Sequence, residues 1–375
     1  MVLYSQHIGV LQRLQLSQDD IAKAFKSKAK IKEFEDFLNK SSQSFEIATD
    51  KLIKLAHIVN VPFAYLFLPN LPQIENELPD FRAESRDFST NLQSCIGSSK
   101  KKQEWFKAYL IRNGYDKFLK DKRINSNDDI KQEIKNLSDF DNVKRMQKNK
   151  RLAHIKLALE SHNIIIQQSG VSQNQTHKAI NIKECRGYAI YDEYAPLIFI
   201  NSKDTSDNGK IFTILHELAH ILFKHSGVSS YDFNVKNEEY RCNEIAGEIL
   251  MPWQEFKTQW NKNNGLENNI RQISSHFDDI ASPLAIATKA LLHKLIDHQK
   301  YHEFKEAYLA KIPADRKNTG GNYYSNITAS NSKNFAKSVI VDTLNGYETY
   351  KDAMDLLDIK SVKTFKNLAQ NLGID

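Results

Sequence analysis

The residues best suited to do chemistry in this chain lie in Phe212-Thr-Ile-Leu-His-Glu-Leu-Ala-His-Ile-Leu-Phe223. His216 and His220 are four apart, so on a helix they stand one turn apart on the same face. Both imidazoles can then reach one metal ion. Glu217 lies beside them, placed to take a proton from a metal-bound water. His-Glu-x-x-His on a helix is a pattern of metal-dependent peptide hydrolysis. The neighbours Ile214, Leu215, Leu218, Ile221 and Leu222 are apolar. They predict a helix buried in a core, where a metal-holding element is kept rigid.

A catalytic zinc usually takes three protein ligands and keeps one position open. The third is sought in Asn237-Glu-Glu-Tyr-Arg-Cys-Asn-Glu-Ile-Ala-Gly-Glu-Ile-Leu-Met-Pro252. Cys242, Ile245, Ala246, Ile249 and Leu250 recur at helical spacing, and Pro252 ends the run. Glu239 fits as the ligand. Asn243 lies one turn further on the same face, where it can hydrogen-bond a ligand imidazole and fix its tautomer. Glu238 is the rival to Glu239. Glu244 and Glu248 point elsewhere and are expected on a solvated face. Ala246 and Gly247 have almost no side chain, so two helices can approach closely there.

These residues carry a resemblance. Arg186-Gly-Tyr-Ala-Ile-Tyr-Asp-Glu-Tyr-Ala-Pro-Leu-Ile-Phe-Ile-Asn201, the stretch 212–220 and Glu239-x-x-x-Asn243-x-Ile-Ala-Gly-Glu-Ile-Leu-Met-Pro252 resemble the ImmA/IrrE family of bacterial and phage metallopeptidases. The likeness is close over about 150–260 and weaker in Leu78-Pro-Asp-Phe-Arg82 and Gly320-Gly-Asn-Tyr-Tyr324. The resemblance implies Zn2+ on His216, His220 and Glu239, with Glu217 as the base. It also implies a protein substrate, often a DNA-binding repressor, and a helix-turn-helix near the N-terminus. Cys242 stands where the family often has Ala, a quiet exchange for a small buried thiol.

The elements around this helix must position it. From Asn163 the pattern turns to short strands, Ile164–Gln167, Tyr188–Tyr191 and Leu197–Ile200, bounded by turns. A small sheet beside the metal helix makes an α+β unit within a mostly helical chain. In peptidases of this kind a sheet edge can hold the substrate as an added strand, and 197–200 is a candidate for it. Tyr188, Tyr191, Tyr194 and His225 are candidates to stabilise an oxyanion. Asn201 and Asp204 are expected to cap the loop before the helix.

At 375 residues the chain is expected to hold two or three domains. The division reads as a helix-turn-helix-like helical domain at 1–70, a linker and helical region at 71–150, a peptidase domain at 151–262 and a helical regulatory or docking domain at 263–375. The first 150 residues hold 26 Lys+Arg against 20 Asp+Glu, which accounts for the whole net charge of +6. Lys26, Lys28 and Lys30 sit where a recognition helix would begin, suited to phosphates. Acidic Glu33, Glu35 and Asp36 follow at once, and no Arg stands there to read bases. The run Val143–Leu159 reads as one basic helix.

Cys95, Cys185 and Cys242 show neither metal spacing nor a disulfide framework, which fits a reducing cytoplasm. No basic segment followed by an apolar run opens the chain, and no apolar stretch is long enough for a membrane span. The expected function is therefore a cytoplasmic zinc endopeptidase. Two other readings are a DNA-binding transcriptional regulator with a sensing or self-cleaving metal domain, and a toxin–antitoxin or phage-defence interaction protein.

Overall fold

The structure is a computed structural model that describes residues 2–4, 11, 21, 24–25, 27–39, 43–58, 66–67, 88–120, 122, 124, 126–175, 178–204, 206–229, 237–310 and 322–374. It divides into two compact units, Met1–Glu77 with Ser89–Ser94, and Leu78–Phe88 with Cys95–Asp375.

The first unit contains β1 (Val2–Tyr4), α1 (Lys28–Leu38), β2 (Ser44–Glu46) and α2 (Thr49–Ile58). Phe34 and Phe37 share one face of α1 and are buried, as are Leu52 and Leu55 of α2. The Phe45 ring meets those of Phe25, Phe34 and Phe37 at centroid distances of 5.9, 5.2 and 6.0 Å, and Phe25 meets Phe34 at 5.1 Å. The expectation of helices alone is corrected here. β1 pairs antiparallel with β2, Leu3 opposite Phe45. Strands of three residues are too short to show a period-2 pattern, and the partner lies far along the chain.

α3 (Thr90–Arg112) begins in the first unit and belongs to the second from Cys95 onward; the second unit goes on with α4 (Asn127–Leu137), α5 (Phe140–Arg145), α6 (Lys148–Ser161), β3 (Ile165–Ser169), β4 (Gly187–Ile190), β5 (Leu197–Asn201) and α7 (Asp207–Leu222). Then come β6 (Gly227–Ser229), α8 (Asn237–Leu250), α9 (Trp253–Gln259), α10 (Leu266–His276), α11 (Pro283–Leu292) and α12 (His298–Ala310). The chain closes with α13 (Tyr323–Asn331), α14 (Lys333–Leu344), α15 (Tyr350–Leu356) and α16 (Val362–Asn371). The fold is α+β and mostly α-helical, with one four-stranded sheet against the metal-motif helix. Local signals set several boundaries. Ser126 caps α4 in a reciprocal capping box with Asp129, and Ser282 caps α11 with Pro283 at its first position. The single helix expected over 143–159 is broken at Met146-Gln147 into α5 and α6.

The strand order is β3-β5-β4-β6. β3 and β5 run parallel, Ile165 opposite Leu197, while β4 is antiparallel to both β5 and β6. Every residue of β5 is buried, which is why its first four residues, Leu197 to Ile200, read as an unbroken apolar run. The suggestion that 197–200 is a substrate-binding edge is thereby overturned, because β5 lies between two strands. Among the described residues the sheet's edges are β3 and β6.

One apolar core runs from Ile130 and Ile134 of α4 through the sheet, α7 and α8 to Ile286 of α11 and Tyr301 of α12. α14 and α16 bury Phe335, Val339, Phe365 and Leu368. Polar contacts tie this C-terminal part to the rest of the unit: Lys102 Nζ lies 2.6 Å from Asp358 Oδ2, and Glu160 Oε1 accepts from Ser332 Oγ at 2.9 Å. Among the described residues no helix is long and apolar enough to cross a membrane.

Candidate metal centre

α7 is buried continuously from Gly209 to Leu222. A helix apolar around most of its circumference belongs in the middle of a core. The sheet covers one side, and α8, α4, α6 and α11 pack on the others. Its start is held by Ser206, whose Oγ accepts from Gly209 N at 3.1 Å. Asp204 Oδ1 accepts from Ser206 N at 3.0 Å, and Asp204 also pairs with Arg186 at 3.1 Å. Asn201 donates to the Cys185 carbonyl at 2.8 Å. Both residues fasten the loop before α7, as expected of them.

His216 and His220 present their Nε2 atoms 3.1 Å apart. From α8, Glu239 sets Oε2 at 3.2 Å from His216 Nε2 and Oε1 at 3.0 Å from His220 Nε2. All three side chains are buried. The three residues offer donor atoms that lie within 4.8 Å of one another. This arrangement can be tested against a tetrahedral ion. Metal bonds of about 2.0–2.1 Å at tetrahedral angles place ligand atoms about 3.3 Å apart. The separations found here are of that size, and two imidazoles with one carboxylate are a donor set such an ion takes. The residues fit the metal.

Burial alone would raise the Glu239 pKa, but His216 and His220 beside it hold the carboxyl down at about 2. Cys242 is buried one turn along the same helix. Burial pushes its thiol well above the usual range, and the charges of Glu239 and Glu217 add to this. A thiol so held stays protonated.

Glu217 is wholly buried. Its Oε1 lies against Gly187 of β4, 2.9 Å from where a side chain there would begin. Of the two rivals for third ligand, the structure brings Glu239 to the imidazoles. Glu238 reaches outward instead, its carboxylate 3.5 Å from His225 Nδ1. Asn243 is half-buried one turn from Glu239, but among the described residues it makes no hydrogen bond to either imidazole.

The four residues named for an oxyanion have different surroundings. Tyr188 faces the other side of the sheet, its hydroxyl 2.6 Å from Ser99 Oγ and 3.4 Å from Cys95 Sγ on α3. Its ring stacks on Phe199. Side chains alternate along a strand, so if Gly187 and Ala189 face α7, Tyr188 cannot. The signal was present in the sequence: small residues at 187 and 189 alternate with large ones at 188 and 190. Tyr191 lies past the end of β4, and its backbone N–H donates to Ser226 Oγ. Tyr194 lies under the Lys117 ammonium. His225 stacks on Phe223 and pairs with Glu238.

Glu248, expected on a solvated face, instead pairs with the buried Lys289 of α11 at 2.7 Å and accepts from Trp253 N at 3.0 Å. In the N-terminal unit Lys28 and Lys30 are exposed at the start of α1, and Lys30 pairs with Glu33 at 2.6 Å. Lys26, Leu78–Arg82 and Gly320-Gly321 lie outside the described residues.

Residues 161–296 match the family model of the IrrE N-terminal-like domain. The match runs from the end of α6 to just past α11 and takes in His216, Glu217, His220 and Glu239. Residues 331–371 match a family described only as a domain of unknown function. No curated protein and no solved structure matches the chain.

Proposed function

The chain belongs, through residues 161–296, to the ImmA/IrrE family of metallopeptidases, and from that premise we propose that it is a zinc endopeptidase acting on a protein substrate. The observation that supports this reading is the buried triangle of His216, His220 and Glu239 on two crossing helices, with Glu217 on the same helix as the imidazoles. His216 Nε2, His220 Nε2 and a Glu239 oxygen would hold the ion. When bound, the ion supplies Lewis acidity, which polarises a carbonyl and acidifies water.

The protein's own part is proton movement and positioning. The Glu217 carboxylate accepts a proton from the attacking water and returns it to the leaving amine nitrogen. Its burial keeps bulk water from competing for that proton. Glu239, held ionised between the imidazoles, keeps both rings turned towards one point. The short strand β6, at the edge of the sheet, offers backbone groups to which an extended substrate segment can add. The family resemblance implies that the substrate is another protein, often a DNA-binding repressor. Three buried free thiols accord with a reducing cytoplasm.

Glu217→Gln tests the reading. The exchange is nearly isosteric and removes the base alone. The variant is expected to fold, to keep its metal and to lose about a hundredfold to ten-thousandfold in rate. It should also retain its substrate in a pull-down from lysate, and the wild type should then cleave the captured protein. Equal cleavage by wild type and variant would end the proposal.

A further inference from the structure

Gly187 opens β4 and is paired on both sides, opposite Ile200 of β5 and Ser229 of β6, a place where glycine brings no side chain to pack. Its backbone does not require it. Among the described residues the positive-φ glycines are Gly114, Gly346 and Gly373, and Gly187 is not one of them. The requirement is space. A Cβ at this position would stand 2.6 Å from Thr213 Cγ2, 2.9 Å from Glu217 Oε1 and 2.9 Å from the Phe199 carbonyl oxygen. Each of these is closer than a non-bonded carbon tolerates.

The three obstacles differ in how easily they move. The Phe199 oxygen is backbone in the central strand of the sheet. Thr213 is anchored, because its Oγ1 donates to the Gly209 carbonyl at 3.1 Å and so fixes where Cγ2 points. The Glu217 carboxylate is the end of a flexible side chain. A methyl group at 187 therefore relieves itself chiefly by pushing that carboxylate aside. Read in reverse, the missing side chain is the slot in which Glu217 rests. We infer that Gly187 is a positioning residue for Glu217: it fixes where the base stands relative to His216 and His220, and so sets the turnover rate without taking part in metal or substrate binding. The inference rests on the role proposed for Glu217.

The test is Gly187→Ala beside Gly187→Ala/Thr213→Ser. The second variant removes Cγ2, the tightest obstacle, and keeps the hydroxyl bond to Gly209, so it separates damage to the fold from damage to the base. The probe is the best-cleaved member of a quenched fluorescent peptide library, with metal content, melting temperature, kcat and KM read for each protein. The double variant is expected to recover most of the melting temperature lost in Gly187→Ala. It should hold its metal and keep KM within about twofold. Its kcat should still be about a hundredfold low, the scale on which a misplacement of about 1 Å acts.

A folded, metal-loaded double variant with wild-type kcat would overturn the inference. So would a raised KM at unchanged kcat. A double variant that fails to fold or to hold metal would overturn it as well, by assigning the glycine to the fold through Phe199. Glu217→Gln is run alongside: if that variant stays active, it is the base assignment that fails, whatever Gly187 does.

Discussion

Glu239 Oε1 stands 3.0 Å from His220 Nε2, joining α8 to the metal-motif helix, while Glu238 one residue earlier turns away to His225. The two glutamates thus make opposite predictions. His216→Ala, His220→Ala and Glu239→Ala should each lose the metal, and Glu238→Ala should keep about one ion per chain, the loading expected of a catalytic zinc site. Metal analysis of the purified variants reads this directly. Metal lost from Glu238→Ala but kept in Glu239→Ala would reverse the ligand assignment.

The same carboxylate carries a pH dependence. Its pKa is about 2 in the folded chain, below the ordinary 4.5, because the imidazoles outweigh its burial. A depressed carboxyl pKa stabilises the fold above the unfolded value and loses that contribution as pH falls through the folded one. Metal-free wild type should therefore lose stability between about pH 4.5 and pH 2 more steeply than metal-free Glu239→Gln, by a total on the order of 3 kcal/mol. Chemical denaturation at stepped pH measures it. Parallel curves for the two proteins would show that the carboxylate is not held down by the histidines.

Tyr188 gives a third test. Its hydroxyl lies across the sheet from α7, bonded to Ser99. Tyr188→Phe should leave kcat and KM within about twofold and lower stability by about 1 kcal/mol, the worth of one buried hydrogen bond. A fall of a hundredfold in kcat at unchanged stability would restore it as an oxyanion donor.

How much of this was legible follows the range of each interaction. His216, Glu217 and His220 share one helix, and the 3.6-residue period places them without any tertiary knowledge. Glu239 needed a second helix and the count of ligands a catalytic zinc takes, and both lie in the sequence. The facing of Tyr188 did not follow as readily. A strand's period fixes which residues alternate but not which set meets the helix. The place of β5 between two strands, the pairing of β1 with β2 and the partner of Glu248 depend on segments far apart in the chain. No local pattern encodes them.

That last partnership carries the final prediction. Lys289 has 2% of its side chain exposed and Glu248 has 29%. Their ion pair ties α8, the helix that carries Glu239, to α11. Burial pulls the Lys289 pKa down, and the bond to Glu248 works against that. Breaking a buried pair by removing one partner strands the other charge, which costs about 3 kcal/mol at the lower end of the usual range, the end suited to a partly exposed partner. Glu248→Gln should cost about that much, since Gln can still accept from Trp253 N. Lys289→Met replaces the stem and removes the charge, so it should cost less. The sign with pH is also fixed. Without Glu248 the folded-state pKa of Lys289 falls further, so the unfolded chain binds more protons than the folded one. Stability then rises with pH in that variant. Denaturant titrations at neutral and at alkaline pH should show the Glu248→Gln deficit shrinking as pH rises. A deficit that stays constant, or that Lys289→Met matches, would mean that the pair is screened by water and holds the two helices only through packing.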